Sequence, residues 1–480
     1  MSSQFNPPPL DEPTRKLNVA AAPLSNPYTN PGGLLGEIMA YILASAPRPV
    51  PEIALAGAIA IMAGIVGRNY NVKNTGLNQY VLLLAGTGRG KEAMARARSA
   101  LMSSVMVSVP AAATFIGPAR IASLQALVGH LEVNPVCCSI VGEFSAELNR
   151  ICGPKASENG RELEQGYLDL WGKSGARDAY EGIVRADRTK NVSRIQAPAF
   201  TLLGESTPER IDAQLTNDNV MSGALPRLTI IRYEGPRVPE NEGHSFVIPP
   251  PDLVGKLADL CSDMLSKQNP FNGYNVELTP EAEALRKRFD HFCDEQINAK
   301  SQIGSFSELW NRAALKATKL AGLVAVGVNQ YVPAITVEQM QWAIDIEYRG
   351  IMDFLAKVES GEVGEVTEDV RVARVSKAIG EYIAQREPWL FPKGYKINAE
   401  MHERFFVTFS YLSNKVGNTK PFKKDGYKEP SKLIREALDV LVARGDLEYW
   451  RKGMRPIRDD QDFQIPVDGW QITNLRAFDQ

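Results

Sequence analysis

Apolar residues recur at two spacings along this chain, and the alternation between them sets out an architecture. From Leu34 to Ala44 and from Pro51 to Val66 they return at helical spacing, which predicts two helices separated by the Pro47-Arg48-Pro49 break. Short unbroken apolar runs follow at Tyr80–Leu84, Val136–Val141, Phe200–Leu203 and Leu228–Ile231, and amphipathic stretches separate them. Such runs suit strands buried on both faces, so residues 76–250 are expected to form an α/β core with a mostly parallel sheet between helices. Pro249-Pro250-Pro251 closes that region. Helical periodicity resumes at Pro280–Phe292, Glu308–Val328 and Thr336–Val358, and the Thr336/Gln339 pair reads as a capping box.

The organisation expected is therefore an irregular, Pro- and Asn-rich arm at 1–33, a helical collar at 34–75, the core at 76–250 and a helical lid at 251–358. A Gly/Glu linker at 359–369 then leads to a last domain at 370–480. In that domain Val370–Gln385, Val407–Val416 and Glu429–Arg444 predict three helices. Leu447–Lys452 with Phe463-Gln464-Ile465 predicts a hairpin, an order that suggests a winged helix.

At 480 residues, 44% hydrophobic and 23% charged, the chain has room for two or three domains. The net charge is only −2, yet 19 Lys/Arg stand against 10 Asp/Glu between Arg371 and Arg458, so the rest of the chain carries −11. Five cysteines without C-x-x-C spacing argue against zinc and a disulfide framework, and favour a reducing cytoplasm. No segment has the order of a signal peptide, and the most apolar stretch, Ile53–Val66, is too short to span a bilayer comfortably.

The chemistry concentrates where the first strand ends. Tyr80–Leu84 runs into Ala85, Gly86, Thr87, Gly88, Arg89, Gly90, Lys91 and Glu92, and then into a helix-forming stretch to Met102. Alternating glycines let backbone amides turn toward an anion, and a helix N-terminus with Lys91 adds positive potential, so these eight residues are the expected triphosphate cradle. A glycine-rich turn of purely structural use is the competing reading. The usual pattern is Gly-x-x-x-x-Gly-Lys-Ser/Thr. Here Ala85 holds the first glycine position, and Glu92 holds the hydroxyl position that normally touches magnesium. A second match at Gly172-Lys173-Ser174 has its upstream glycine, Gly166, one residue too far away, and no buried strand precedes it.

About 50 residues beyond Lys91, the strand Val136–Val141 ends in Gly142-Glu143. P-loop ATPases of the RecA type end the strand beside the phosphate loop in Asp-Glu, the Asp ordering magnesium and the Glu positioning water. Glu143 is thus the expected catalytic base, while Gly142 lacks the metal-facing carboxylate. Glu92 could supply it, which makes Glu92 and Glu143 the candidate metal-facing residues; a bland first-turn role for Glu92 competes. Ser206 or Thr207, after the third strand, is the expected γ-phosphate sensor, with an N-cap role as the alternative. Arg227, before the fourth strand, could reach a neighbouring subunit's nucleotide, or serve only as a surface ion-pair partner.

Two basic sets could contact DNA. Lys173, Arg177, Arg185, Arg188 and Lys190 fall between the second and third strands, where channel loops would grip single strands, unless they form an ordinary surface insertion. Lys415, Lys420, Lys423, Lys424, Lys428, Lys432 and Arg435 cluster on and before the expected recognition helix, where phosphate contacts would give salt-dependent affinity. A solvated basic face or a protein-binding winged helix is the competing reading.

In order, Gly76–Glu92, Val141-Gly-Glu-Phe144, Pro198-Ala-Phe-Thr-Leu-Leu-Gly-Glu-Ser-Thr-Pro-Glu209 and Leu225-Pro-Arg227, with Pro47-Arg-Pro-Val50 upstream, resemble a bacteriophage and prophage family. It is known as domain of unknown function 3987, and its members are often labelled helicases or primase-helicases. The likeness runs from about Pro31 to about Val358, and Gly-Glu and Gly-Lys-Glu variants look like features of that family. The resemblance implies a RecA-like core, assembly into a homo-oligomeric ring, ATP with Mg2+ as cofactors, and a phage replication setting in a bacterial cytoplasm alongside other replication proteins. The expectation is an ATP-driven DNA helicase or translocase. A nucleotide-switched DNA-binding or helicase-loader protein with weak or absent hydrolysis is the alternative, and a structural ring acting as a host-takeover or defence adaptor is a third.

Overall fold

The computed structural model describes residues 26–153, 156–182, 184, 191–212, 223–267, 269–298, 304–359, 368–385, 391–422, 429–454 and 466–478. Two compact units divide the chain, with the boundary between Asp353 and Phe354. The boundaries expected near 75 and 250 do not separate compact units, because the flanking helices pack with the sheet.

The first unit is built on four parallel strands: β1 (Tyr80–Ala85), β2 (Val136–Val141), β3 (Ala199–Ser206) and β4 (Thr229–Tyr233). All four apolar runs became strands, and β1 and β2 are buried at every position, as expected of strands covered on both faces. Their spatial order is β2-β3-β1-β4. Leu83 pairs with Glu205 of β3 on one side and with Ile231 of β4 on the other, while Val141 pairs with Gly204. This corrects one expectation. β2, which carries Glu143, is not beside the phosphate-loop strand, because β3 enters between them.

Helix α1 (Gly33–Ser45) leads to α2 (Pro51–Val66), which lies across all four strands. Every residue of α2 after Pro51 is buried. A helix apolar all round belongs inside a core. Helix α3 (Glu92–Met106) starts where the phosphate loop ends and packs on α2. The opposite face of the sheet carries α4 (Phe144–Cys152) and α5 (Glu158–Trp171), with Tyr167 stacked on Phe200 at 5.8 Å between ring centroids. Because α5 is a helix, the Gly172-Lys173-Ser174 match has no strand before it.

Helices α6 (Pro208–Asp212), α7 (Pro251–Ser266) and α8 (Pro280–Asn298) follow, then α9 (Ala313–Val328) and α10 (Val337–Glu359). The helix expected from Glu308 begins instead as a 3-10 segment over Gly304–Arg312. The capping box is present in both directions: Gln339 Oε1 accepts from the Thr336 amide at 3.0 Å, and Thr336 Oγ1 accepts from the Gln339 amide at 3.4 Å. Among the described residues no helix is long and apolar enough to cross a membrane.

In the second unit α11 (Glu368–Ala384), α12 (Phe409–Val416) and α13 (Pro430–Ala443) surround a three-stranded antiparallel sheet. Its strands are β5 (Phe406–Thr408), β6 (Leu447–Trp450) and β7 (Gly469–Ile472), in the order β5-β7-β6. Val375, Ile379, Leu412, Leu433, Leu438 and Trp470 share one apolar cluster. Two expectations shift here. Val407 and Thr408 belong to a strand rather than to the helix after it, and the partner of Leu447–Trp450 is Gly469–Ile472 rather than Phe463–Ile465, which lie outside the described residues.

Candidate phosphate-binding site

β1 ends at Ala85, and the chain crosses to α3 through a loop in which Gly88 (φ 70°) and Gly90 (φ 90°) occupy the left-handed region. Gly90 has two reasons to be glycine: its backbone favours a missing side chain, and a Cβ there would lie 2.9 Å from both Cβ and carbonyl oxygen of Arg48. Gly86 is under no such pressure, since a Cβ there would meet only Arg89 at 3.6 Å. The Lys91 ammonium donates to the Ala85 carbonyl at 2.7 Å and lies 3.5 Å from that of Gly86, folded over the mouth of the loop. Burial holds its pKa below the usual lysine value, against the pull of Glu205, Glu143, Glu92 and Glu209. The eight cradle residues, Ala85 to Glu92, thus form a strand-loop-helix with a lysine over its mouth.

Glu143 follows β2 in the left-handed conformation (φ 50°) as the residue before α4, with its exposed carboxylate ion-paired to Arg210 of α6. Glu92 opens α3 and is exposed. Among the described residues no three His, Cys, Asp or Glu side chains gather closely enough to hold a metal by themselves. Hard carboxylate oxygens are nevertheless the donors magnesium takes together with phosphate oxygens, so the residues present fit that ion in company with a nucleotide.

The two sensor candidates, Ser206 and Thr207, directly follow Glu205. Side chains alternate along β3, so Glu205 shares the face of Thr201 and Leu203, toward α2 and α3, while Ser206 shares that of Phe200 and Gly204. Ser206 is buried, and its Oγ has no hydrogen-bond partner among the described residues. Thr207 lies beyond the strand. Glu205 is the carboxylate that acts most strongly on Lys91; burial raises its own pKa, opposed by Lys91 and reinforced by Glu92 and Glu143. Sequence reading missed it by ending this strand at Leu203 and treating the acid as loop.

Arg48 and Arg237 were missed too. Arg48 packs on Gly90 and is held by the Val238 carbonyl at 2.9 Å and by Glu240 at 3.1 Å, while the Arg237 Nε lies 4.0 Å from the Cβ position of Gly88. Both come from segments distant in sequence, and only Pro47-Arg-Pro-Val50 flagged the first.

Arg227 precedes β4, at the edge of the sheet where strands begin, whereas the phosphate loop leaves the edge where they end. A strand of this length separates the two edges by roughly 17 Å, so Arg227 cannot serve its own loop. Its Nη1 donates to the Gly223 carbonyl at 2.7 Å, and its guanidinium lies 5.9 Å from the Trp171 ring. Arg312 and the buried Lys319 approach the same ring at 5.8 and 4.6 Å. Arg227 is therefore part of a cationic cluster on an indole rather than one arm of a surface ion pair.

Of the expected nucleic-acid contacts, Lys173 and Arg177 are exposed after α5, and Lys432 and Arg435 are exposed on α13, Arg435 over the Phe409 ring at 4.5 Å. Lys415 is ion-paired with Glu381 at 3.0 Å, which offsets its charge. Arg185, Arg188, Lys190, Lys423, Lys424 and Lys428 lie outside the described residues, as does the side chain of Lys420. No family model matches the chain, and no curated protein matches it either.

Proposed function

We propose that this protein binds and hydrolyses ATP at the loop between β1 and α3, and that it uses the cycle to move on DNA as a helicase or translocase. The observation that carries this reading is the loop itself: two left-handed glycines, amides at a helix N-terminus and a lysine folded over the mouth, the arrangement a polyphosphate needs. The parallel sense of all four strands is compatible with a RecA-like core, because β2 and β3 then end, with Glu143 and Glu205, at the edge where the loop opens.

In this reading Lys91 leaves the Ala85 carbonyl to neutralise phosphate charge, and Glu143, released from Arg210, orients the attacking water. Glu92, with Glu143, would face magnesium, which supplies charge neutralisation when bound with the nucleotide. In a homo-oligomeric ring, Arg227 would act toward a neighbouring subunit's nucleotide rather than its own. The order of helices and antiparallel strands in residues 368–478 supports a winged helix, with Lys432 and Arg435 as phosphate contacts on DNA. The phage family named above fits this reading through its motifs alone.

One observation favours a slower protein. Glu143 begins in an ion pair, and the usual hydroxyl at position 92 is a carboxylate, so a nucleotide-switched DNA-binding or loader role is the second reading. Phosphate release with and without single-stranded DNA, in wild type and Glu143→Gln, tests the proposal. DNA-stimulated turnover that falls about 100-fold or more in the variant supports a motor, since a positioned general base contributes that much. Nucleotide binding without turnover supports the switch.

A further inference from the structure

Residue 142 is the one place where the sequence lacks a carboxylate that the proposed chemistry calls for, and another carboxylate stands next to it. Gly142 is not in the left-handed region, so its backbone accepts any side chain. A Cβ built at 142 would lie 3.3 Å from Oε1 of Glu205, so the Glu205 carboxylate already stands beside the space that a side chain at 142 would enter. The two residues sit on the same sheet face, because Val141 pairs with Gly204 and the next positions carry the alternation on. Glu205 reaches this point from β3, the strand hydrogen-bonded to the phosphate-loop strand through the pairing of Leu83 with Glu205.

The surroundings of Glu205 point the same way. Its carboxylate is half-buried, faces Lys91, and no donor is hydrogen-bonded to it among the described residues. Glu92 and Glu143 add negative charge at the same mouth, and the ammonium of Lys91 is occupied by loop carbonyls. A bare triphosphate arriving there meets carboxylates, so a divalent cation between them removes the largest obstacle to binding.

We propose that Glu205 is the metal-facing carboxylate of the phosphate site, occupying from the neighbouring strand the space that an aspartate at position 142 would otherwise fill. The inference rests on the nucleotide-binding reading above. It assigns the missing charge to Glu205 rather than to Glu92, and it makes nucleotide affinity depend on a divalent ion through this side chain.

Equilibrium binding of a fluorescent ATP analogue, with excess magnesium and with a chelator instead, tests it without turnover. Wild type is expected to bind at least about tenfold more tightly with magnesium, the scale of one charge-assisted contact. Glu205→Gln, which keeps the shape and removes the charge, should lose that enhancement while its chelator-state affinity is unchanged or higher. Gly142→Asp combined with Glu205→Ala returns the carboxylate from the other strand and should restore the enhancement, which separates lost charge from lost folding. Full magnesium enhancement in Glu205→Gln, or no recovery in a folded double variant, would overturn the assignment while leaving the phosphate site standing. Absence of binding by wild type under both conditions would overturn the site and this inference together.

Discussion

The phosphate loop holds its shape through two residues that touch in space and lie far apart in sequence. Gly90 sits in the left-handed region against the backbone of Arg48, so Gly90→Ala combines backbone strain of about 1–3 kcal/mol with a steric clash. The expected outcome is a lower melting temperature and weakened nucleotide binding, read by differential scanning fluorimetry with and without ATP. Gly86→Ala, in open space and with an ordinary backbone, should leave both nearly unchanged. At this scale the sequence was most legible in the loop, because glycine and lysine announce a local geometry. It was least legible at Glu205 and Arg237, whose place beside the loop comes from strand register and a returning segment. Ser206 was favoured for its hydroxyl, and the two-residue period of the strand puts that hydroxyl on the face opposite to Glu205.

Elements are joined by buried polar groups that hydropathy could not anticipate. Lys316 and Glu347 form an ion pair at 2.8 Å with both side chains buried; Lys316 also donates to the Leu228 carbonyl at 2.8 Å, and Thr229 donates to Glu347. Removing one partner leaves a charge without compensation, so Glu347→Ala should cost about 3–5 kcal/mol in urea unfolding, and the double change Lys316→Met with Glu347→Leu much less. Lys319, fully buried in the same helix, donates to Asn78 Oδ1 at 2.6 Å, and burial lowers its pKa to about 7. The unfolded chain then holds a proton at this site from about pH 7 to the ordinary lysine value near 10.4 that the folded chain releases, so this group makes stability rise with pH across that window. Lys319→Met should flatten the rise, measured as urea midpoints at several pH values. All four strands of the sheet were readable as apolar runs, and the Thr336/Gln339 box marked the start of α10. Strand order was not, because periodicity carries no record of which strand enters between two others.

On the scale of the whole molecule, charge is divided unevenly along the chain. The basic excess lies beyond Arg371, and the described part of it places Lys432 and Arg435 in solvent on α13. If that helix meets duplex phosphates, each alanine substitution should lower the slope of log affinity against log salt by about 0.9, read from fluorescence anisotropy across a salt series. Lys415→Ala should change it less, since Glu381 already offsets that charge. The division into units was only half legible: the basic tail was found, but the collar and lid were not separable bodies, since α2 is apolar on every side and belongs under the sheet.

The proposed function stands or falls with a triphosphate enclosed by the loop from Ala85 to Glu92, beneath the Lys91 ammonium. Titration of wild type and Lys91→Ala with a fluorescent ATP analogue in excess magnesium tests it most directly. Wild type should bind saturably, with unlabelled ATP competing the analogue away, and binding should weaken about tenfold or more in Lys91→Ala, whose melting temperature without nucleotide should match wild type. Equal binding by the two proteins, or none by a folded wild type, would contradict it.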